Sequence, residues 1–366
     1  MLSRKRRRAC WASRLFDACP DATGDPVILP GQDAKSIAAG VDCIKAGRLL
    51  GLPTETVYGL AADADNDAAV AQIFAAKGRP ADHPLIVHVL GAPSVAHYAV
   101  DIPDFAHALM AAFWPGPLTL ILPRQPGVAN AATGGNPTVG LRCPSHPVAL
   151  ALLRAGAAQG VWGLAAPSAN QFGRVSPTTA AHVAGEFGEN LLILDGGACS
   201  VGIESTIIDC SRGQPVLLRP GAITAEQVQA VCGLKVLQKE ELDSLEKQAP
   251  KASGTLDSHY APRARVRLMD AVAMAQAVTA MRADPAFAAA QGADPQVAIW
   301  SRTPLALPDA RWVWQAMPGD AALAARQLFA TLRALDECAV RQIWVEKPPA
   351  APEWDGVRDR LQRAAF

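Results

Sequence analysis

Between Gly47 and Val89 the chain reads GRLLGLPTETVYGLAADADNDAAVAQIFAAKGRPADHPLIVHV, and this stretch limits the folds open to it. Leu49 to Pro53 is a short apolar run suited to a buried strand. It leads into Thr54, Glu55 and Thr56, polar groups at a strand end, where α/β proteins place their chemistry. Ala68 to Ala76 reads as a helix with Asp67 as its N-cap. Pro80 disfavours helix at the residue before it, so the helix should stop near Lys77 and Arg79. Leu85 to Val89 gives the next strand, with His88 close to its end. Two cations flanking Gly78 suit an anionic ligand such as a phosphate. Taken alone, a Lys-Gly-Arg loop is more often a solvated turn than a phosphate clamp.

The same alternation continues on both sides. Helices are expected over Asp33 to Ala46, Val95 to Ala99, Phe105 to Phe113, Pro147 to Ala155, Ala180 to Glu186 and Thr224 to Val231, the last capped by Thr224. Strands are expected at Leu118 to Leu122, Thr138 to Arg142, Val161 to Ala166, Leu191 to Leu194, Glu204 to Asp209 and Pro215 to Leu218. Loops are short and polar residues gather at strand ends, the pattern of a mixed α/β domain. From about Leu237 to Arg263 the composition turns polar, which marks an interdomain linker. Beyond it three strands (Val266 to Met269, Val297 to Trp300, Ile343 to Val345) alternate with helices at Val272 to Arg282, Asp320 to Leu335 and Gly356 to Ala364. That is a small three-layer, Rossmann-like domain without a GxGxxG, so nothing argues for a dinucleotide. The expected division is a basic leader over 1–26, a first domain over 27–235, a linker over 236–263 and a second domain over 264–366.

Composition narrows the function classes. The 366 residues carry 34 basic and 34 acidic side chains, so overall charge gives no case for nucleic-acid binding. Eight cysteines are scattered without a CxxC pair, which argues against a zinc site or a compact disulfide framework and fits a reduced, cytoplasmic setting. No apolar run is long enough to span a membrane. Residues 1–14 hold six basic residues and no acid before Phe16. They read as a disordered leader, with a nucleic-acid-binding arm or targeting segment as the other readings.

An ordered set of short motifs then resembles one family. PTETVYGL (Pro53 to Leu60), KGRP (Lys77 to Pro80), HPLIVH (His83 to His88) and WPGPLT (Trp114 to Thr119) come first. TVGLR (Thr138 to Arg142), PSAN (Pro167 to Asn170), ESTIID (Glu204 to Asp209) and RPG (Arg219 to Gly221) follow in the same order. Together they resemble the YrdC-like proteins, which as enzymes are threonylcarbamoyl-adenylate synthases. HYAP (His259 to Pro262) and the ending GVRDRLQRAA (Gly356 to Ala365) resemble the long, two-domain Sua5-type form. That form's linker usually reads Ser-Pro-Gly-Met-basic-x-x-His-Tyr. Here Ala252-Ser253-Gly254-Thr255-Leu256 lacks the Pro, the Met and the basic residue.

The resemblance implies a twisted mixed sheet with helices and a concave ligand cavity, followed by the linker and the Rossmann-like domain. It implies an L-threonylcarbamoyladenylate synthase, a nucleotidyltransferase joining L-threonine, bicarbonate and ATP. The product would serve threonylcarbamoyladenosine (t6A) modification of tRNA that reads ANN codons. ATP would meet Lys77, Arg79, His83, Thr138, Ser168, Asn170, Ser176, Arg219, Ser253, His259 and Tyr260, with Lys77 and Arg79 as the catalytic cations. Threonine would meet Thr56, His88, Arg142, Ala166 and Ser205, Arg142 facing its carboxylate because a guanidinium matches a carboxylate bidentately. Thr54 is a weaker candidate, expected to share a strand face with Thr56. His259 and Tyr260 could equally be a docking anchor. Mg²⁺ is expected with the triphosphate and no dedicated protein cage. Expected partners include the downstream threonylcarbamoyl transferase machinery and a possible tRNA contact. The alternative from another class is a non-catalytic double-stranded RNA or tRNA-binding module of the same fold. A carbamoyl transferase of the hydrogenase-maturation type ranks last, because the chain has no zinc-finger cysteine pairs.

Overall fold

A computed structural model describes residues 27–188, 191–239, 241, 259–284, 296–305, 307 and 311–366. The basic leader, most of the linker and Ser253 lie outside the described residues. The first domain runs β1 (Val27–Pro30), α1 (Ala34–Lys45), β2 (Leu50–Leu52), β3 (Gly59–Asp63), α2 (Asp67–Lys77), β4 (Ile86–Val89), α3 (Ala92–Tyr98), α4 (Asp104–Phe113), β5 (Leu118–Pro123) and β6 (Thr138–Arg142). It continues with α5 (Pro147–Ala157), β7 (Gly163–Ala165), α6 (Ala180–Phe187), β8 (Leu192–Asp195), β9 (Thr206–Asp209), β10 (Val216–Arg219), α7 (Ala225–Cys232) and β11 (Leu237–Gln238). Among the described residues these strands form one mixed sheet, ordered β1-β8-β2-β3-β7-β4-β6-β5-β9-β10-β11.

Two sequence expectations are corrected here. The helix after the PTETVYGL motif is capped by Asn66, whose side chain accepts from the Ala69 N–H at 3.0 Å. Asp67, expected as the cap, is the first helical residue and accepts instead from the Ala131 N–H at 3.0 Å. Gly59–Asp63, not expected as a strand, is β3, antiparallel to both β2 and β7. Its alanines and glycine are buried on both faces, so no alternation betrays it. The helix ends where Lys77 and Pro80 indicated, with Gly78 in the left-handed region (φ 62°) as its C-cap.

The second domain has β12 (Arg265–Met269), α8 (Ala271–Ala283), β13 (Val297–Ser301), β14 (Trp312–Ala316), α9 (Ala321–Glu337), β15 (Gln342–Glu346) and α10 (Asp355–Ala364). Its strands are all parallel, in the order β12-β15-β13-β14. Four strands replace the expected three. The edge strand β14 was missed because its alternating WVWQA is half exposed. Leu237–Gln238, placed at the start of the linker, pair parallel with Val216–Leu217 and extend the first sheet. No helix among the described residues is long and apolar enough to cross a membrane.

The domains share a core. Val57, Val175 and Ile203 of the first pack with Tyr260 and with Ala325, Phe329 and Leu361 of the second. Gly202 sits at this seam with φ 82°, and a Cβ there would lie 2.4 Å from the Arg326 Cα and 2.5 Å from its carbonyl oxygen. Gly202→Ala therefore meets both a left-handed backbone and a closed steric gap. The expected outcome is a loss of more than about 1 kcal/mol, read as a lower urea midpoint for the full chain. An unchanged midpoint would mean that the domains do not rest on this contact.

Candidate active site

β4 and β6 lie side by side and parallel, and His88 stands opposite Arg142 in their register. Two polar side chains thus emerge at the same end of adjacent central strands. Arg142 is almost wholly buried, and each of its nitrogens has an oxygen close by. Nη2 lies 2.6 Å from Glu55 Oε1, Nη1 donates to Thr56 Oγ1 at 2.8 Å and Nε donates to the Gly116 carbonyl at 3.3 Å. The other Glu55 oxygen accepts from the Ser145 N–H at 3.1 Å. Thr54 and Thr56 do not share a strand face, because β2 ends at Leu52 and both lie in the following loop. Their hydroxyls meet instead at 2.9 Å. Burial, and then the Arg142 charge, push His88 down to about 3, so its ring is neutral. Its Nδ1 has no hydrogen-bond partner among the described residues.

A second pole is built from β10 and the ends of α2. Arg219 donates to the Ser205 carbonyl through Nε (3.1 Å) and Nη2 (2.9 Å), and to Ser205 Oγ at 3.2 Å. Ser205 Oγ lies 2.7 Å from Thr119 Oγ1. Arg79 donates to the Pro84 carbonyl at 3.0 Å and lies 6.0 Å from the Phe172 ring centroid. Burial lowers Arg79 to about 10, still charged at neutral pH. Lys77 donates to the Ser168 carbonyl at 2.6 Å and the Asn170 carbonyl at 2.5 Å, which fastens the PSAN turn to the end of α2. Burial first, and Arg79 second, bring Lys77 down to about 7.

The two poles open on one cleft holding about 510 Å³ of space, its open mouth included. From the set expected to face threonine, Thr56, His88, Arg142, Ala166 and Ser205 line it. From the set expected to face ATP, Arg79, Ser168, Arg219, His259 and Tyr260 line it. Lys77, Asn170 and Ser176 stand behind its walls: Asn170 Nδ2 donates to the Gln171 and Arg174 carbonyls, and Ser176 Oγ to Glu204 Oε1 at 2.5 Å. His83 reaches the site through Phe172, 5.9 Å away between ring centroids. Thr138 is not drawn in. It lies at the opposite end of β6 from Arg142, about 13 Å along the strand at 3.3 Å per residue, and does not line the cleft.

His259 and Tyr260 are buried against the site. The His259 N–H donates to the Arg363 carbonyl at 3.2 Å and the Ala261 N–H to the Gly173 carbonyl at 2.9 Å. Their rings meet edge-on at 4.1 Å, and Tyr260 lies 5.2 Å from Phe329. Burial pushes His259 down to about 3 and Tyr260 up to about 12. Tyr260 Oη, His259 Nδ1 and Asn170 Oδ1 have no hydrogen-bond partner among the described residues. Each such atom costs roughly 1–3 kcal/mol when left unmet, so their gathering around one cleft marks a place for a polar ligand. Sequence reasoning did not single out Glu204, Phe172 or Arg360 as site residues. Glu204 was visible within ESTIID and Arg360 within GVRDRLQRAA, neither with a role, whereas Phe172 carries no motif signal.

The buried imidazoles set a pH dependence. An unfolded histidine titrates near 6.5, so below that pH the unfolded chain binds protons that folded His88 and His259 refuse. Stability should fall as pH drops from about 6.5 toward 3, by up to about 1.4 kcal/mol per pH unit for each histidine. In His88→Gln the slope between pH 6.5 and 5 should shrink by about one proton. An unaltered slope in denaturant titrations would contradict a neutral, buried His88.

Comparison with known proteins bears on the family and the fold. A family model described as telomere recombination, the Sua5–YciO–YrdC group, matches residues 42–221, and the threonylcarbamoyl-AMP synthase C-terminal domain matches residues 223–366. The threonylcarbamoyl-AMP synthases of Pyrococcus abyssi and Bacillus subtilis are each 44% identical to this chain over 64% of its length. Those alignments cover 67% and 66% of the two relatives, about two thirds of each. A structure of P. abyssi Sua5 superposes with a TM-score of 0.81 at 33% identity, over 93% of this chain and 96% of that one. P. abyssi Sua5 complexed with L-threonine superposes at 0.80 and 34% identity over the same shares. The chain belongs to the threonylcarbamoyl-AMP synthase family, in its long two-domain Sua5 form.

Proposed function

We propose that this chain joins L-threonine, bicarbonate and ATP into threonylcarbamoyl-adenylate and pyrophosphate, a nucleotidyl transfer that feeds t6A modification of tRNA reading ANN codons. The observation that carries the reading is the pairing of two cationic poles in one buried cleft. Arg142, Thr56 and neutral His88 suit an amino acid's carboxylate and hydroxyl. Arg79 and Arg219 suit a polyphosphate, with Lys77 holding the turn between them.

The chemistry asks for little beyond placement and charge. The threonine amine adds to the carbon of bicarbonate and water leaves. A carbamate oxygen then attacks the α-phosphorus of ATP, and the bond from that phosphorus to the bridging oxygen breaks to release pyrophosphate. Neither step needs a covalent nucleophile. Burial pushes Cys143 up to about 11 and Cys199 up to about 12, so neither thiol offers a thiolate at neutral pH. Fixed cations in a water-poor cleft stabilise the charge that builds on the leaving phosphates. Mg²⁺ bound to the triphosphate would neutralise part of that charge. Both carboxylates at the cleft, Glu55 and Glu204, are already paired with arginines, so this reading gives the ion phosphate oxygens and water as ligands. His259 and Tyr260 would cover the adenylate and keep water from it.

The test is pyrophosphate release by the purified full chain with ATP, Mg²⁺ and bicarbonate, with and without L-threonine. Release should depend on threonine and fall at least about 100-fold in Arg142→Ala, the order expected when a positioned charge is lost. Lys77→Ala should fall comparably through the loosened PSAN turn. Equal release with L-serine would keep the chemistry and remove the assigned substrate. No release, with salt-sensitive RNA binding, would favour the RNA-binding module.

A further inference from the structure

Arg360 comes from α10, far along the chain from the first-domain motifs, yet it is fully buried beside the cleft. Its three nitrogens are all engaged. Nε donates to Glu204 Oε2 at 2.9 Å, Nη2 to the Glu204 carbonyl at 3.0 Å and Nη1 to the Pro220 carbonyl at 2.6 Å, with Asp359 Oδ2 2.9 Å from Nη1. The guanidinium carbon lies 5.7 Å from the Tyr260 ring centroid. The helix can come this close because Gly356 has no side chain. A Cβ there would meet Ile203 Cδ1 at 2.7 Å and the Gly221 Cα at 3.1 Å.

What Arg360 holds matters more than how tightly it holds. Glu204 lines the cleft and precedes Ser205, and Pro220 follows Arg219. The one guanidinium therefore clamps the entrance of β9 and the exit of β10, the two segments that present Ser205 and Arg219. Glu204 is a full negative charge placed next to the cations that a polyphosphate needs. Burial would raise its pKa, but Arg360, Arg219 and the Ser176 hydroxyl outweigh burial and hold the carboxyl below its usual range. Without Arg360, the guanidinium that still acts on that charge is Arg219. A buried carboxylate that loses its partner recruits another or becomes costly.

We infer that Arg360 is a positioning residue for the nucleotide half of the cleft: by pairing with Glu204 and anchoring Pro220, it leaves Arg219 directed at the anionic ligand, so the second domain is part of the ATP site. This rests on the reading that the cleft binds ATP. α9 supports the same role from the other side. Its Arg333 donates to the Ser176 carbonyl at 3.3 Å and to the Val175 carbonyl, and pairs with Glu186 at 2.8 Å. Glu186 in turn accepts from the Gln171 N–H at 3.0 Å, just beyond the PSAN turn.

A merely structural ion pair would damage both ligands alike, and a charge-sparing role would not. The experiment measures equilibrium binding of ATP with Mg²⁺, and separately of L-threonine, to the full chain and to Arg360→Met, Glu204→Gln and the double variant. Arg360→Met should weaken ATP at least about 10-fold and threonine less than about 3-fold, within the usual range for coupled neighbours. The double variant should bind ATP within about 3-fold of Glu204→Gln, because no stray carboxylate remains. ATP binding unimpaired in Arg360→Met, equal losses for both ligands, or purely additive losses in the double variant would each overturn the inference. If Arg360→Met does not fold, the same comparison is made between Arg360→Lys and Arg360→Lys with Glu204→Gln. Relief of the ATP defect by the second change supports the role, and no relief overturns it. A parent protein that binds no ATP overturns the synthase reading together with this one, whereas a parent that binds while Arg360→Met matches it overturns this one alone.

Discussion

Positive charge buried beside a cleft is the constraint on which the rest of the site depends. A guanidinium or ammonium withdrawn from water needs acceptors on nearly all of its donors. Here the acceptors are mostly backbone carbonyls of the loops that form the cleft. Lys77 takes the carbonyls of Ser168 and Asn170, Arg79 that of Pro84, Arg142 that of Gly116 and Arg219 that of Ser205. Lys77, Arg142 and Arg219 thereby tie together segments distant in sequence, and Arg79 closes its own loop onto Pro84. The groups suited to a substrate's charge are the same groups that cross-link the walls. Pre-organisation follows without further device, since a cation cannot shift without freeing a loop.

The second domain extends this logic. Its parallel sheet buries Trp300 and Trp344 and gives a rigid base, but its contribution to the cleft comes through two helices. α9 and α10 each send one arginine across the seam, to the loop carrying Ser176 and to the segments carrying Glu204 and Pro220. Apolar contacts alone would hold the domains together and leave their relative register loose. Directional bonds to backbone carbonyls fix it, because each donor must meet one oxygen at one angle.

How much of this was legible in the sequence depends on which kind of signal each part leaves. Thr138–Arg142 was read to the residue because β-branched and apolar residues end at a charge. Thr224 was read as a cap because a hydroxyl precedes an acid and an amide in the first turn, and its capping box forms as drawn. β3 was missed because a strand buried on both faces shows no alternation. Asn66 was passed over for Asp67 because two adjacent residues can both cap, and only the backbone angles choose between them. The facing of His88 and Arg142 could not be read at all, because strand register is a tertiary fact. The residues expected to face threonine, which do line the cleft, were picked out through ordered motifs. Arg360 lies within GVRDRLQRAA yet received no role, because one arginine among several in a charged helix looks like surface until the helix is docked. Thr138 was taken from the same strand as Arg142 but stands at its other end, away from the cleft lining, because a strand's two ends lie many ångströms apart.

The cleft is also held at a cost. Tyr260 has φ 62°, a conformation that strains a residue with a Cβ by about 1–3 kcal/mol. Beside it, Tyr260 Oη, His259 Nδ1, His88 Nδ1 and Asn170 Oδ1 are buried without hydrogen-bond partners among the described residues. Neither the strain nor the unmet atoms would persist unless the surrounding packing fixed them, and the packing is there: Phe329 against the tyrosine ring, the Arg363 carbonyl on the His259 amide, and the Gly173 carbonyl on Ala261. A polar ligand that meets those atoms would remove the cost of leaving them unmet. The fit of the cleft to a polar ligand thus comes from fixed placement and not from tightening any single contact. It also explains why the His-Tyr pair is anchored from α10 and α9 rather than from the sheet whose cleft it covers.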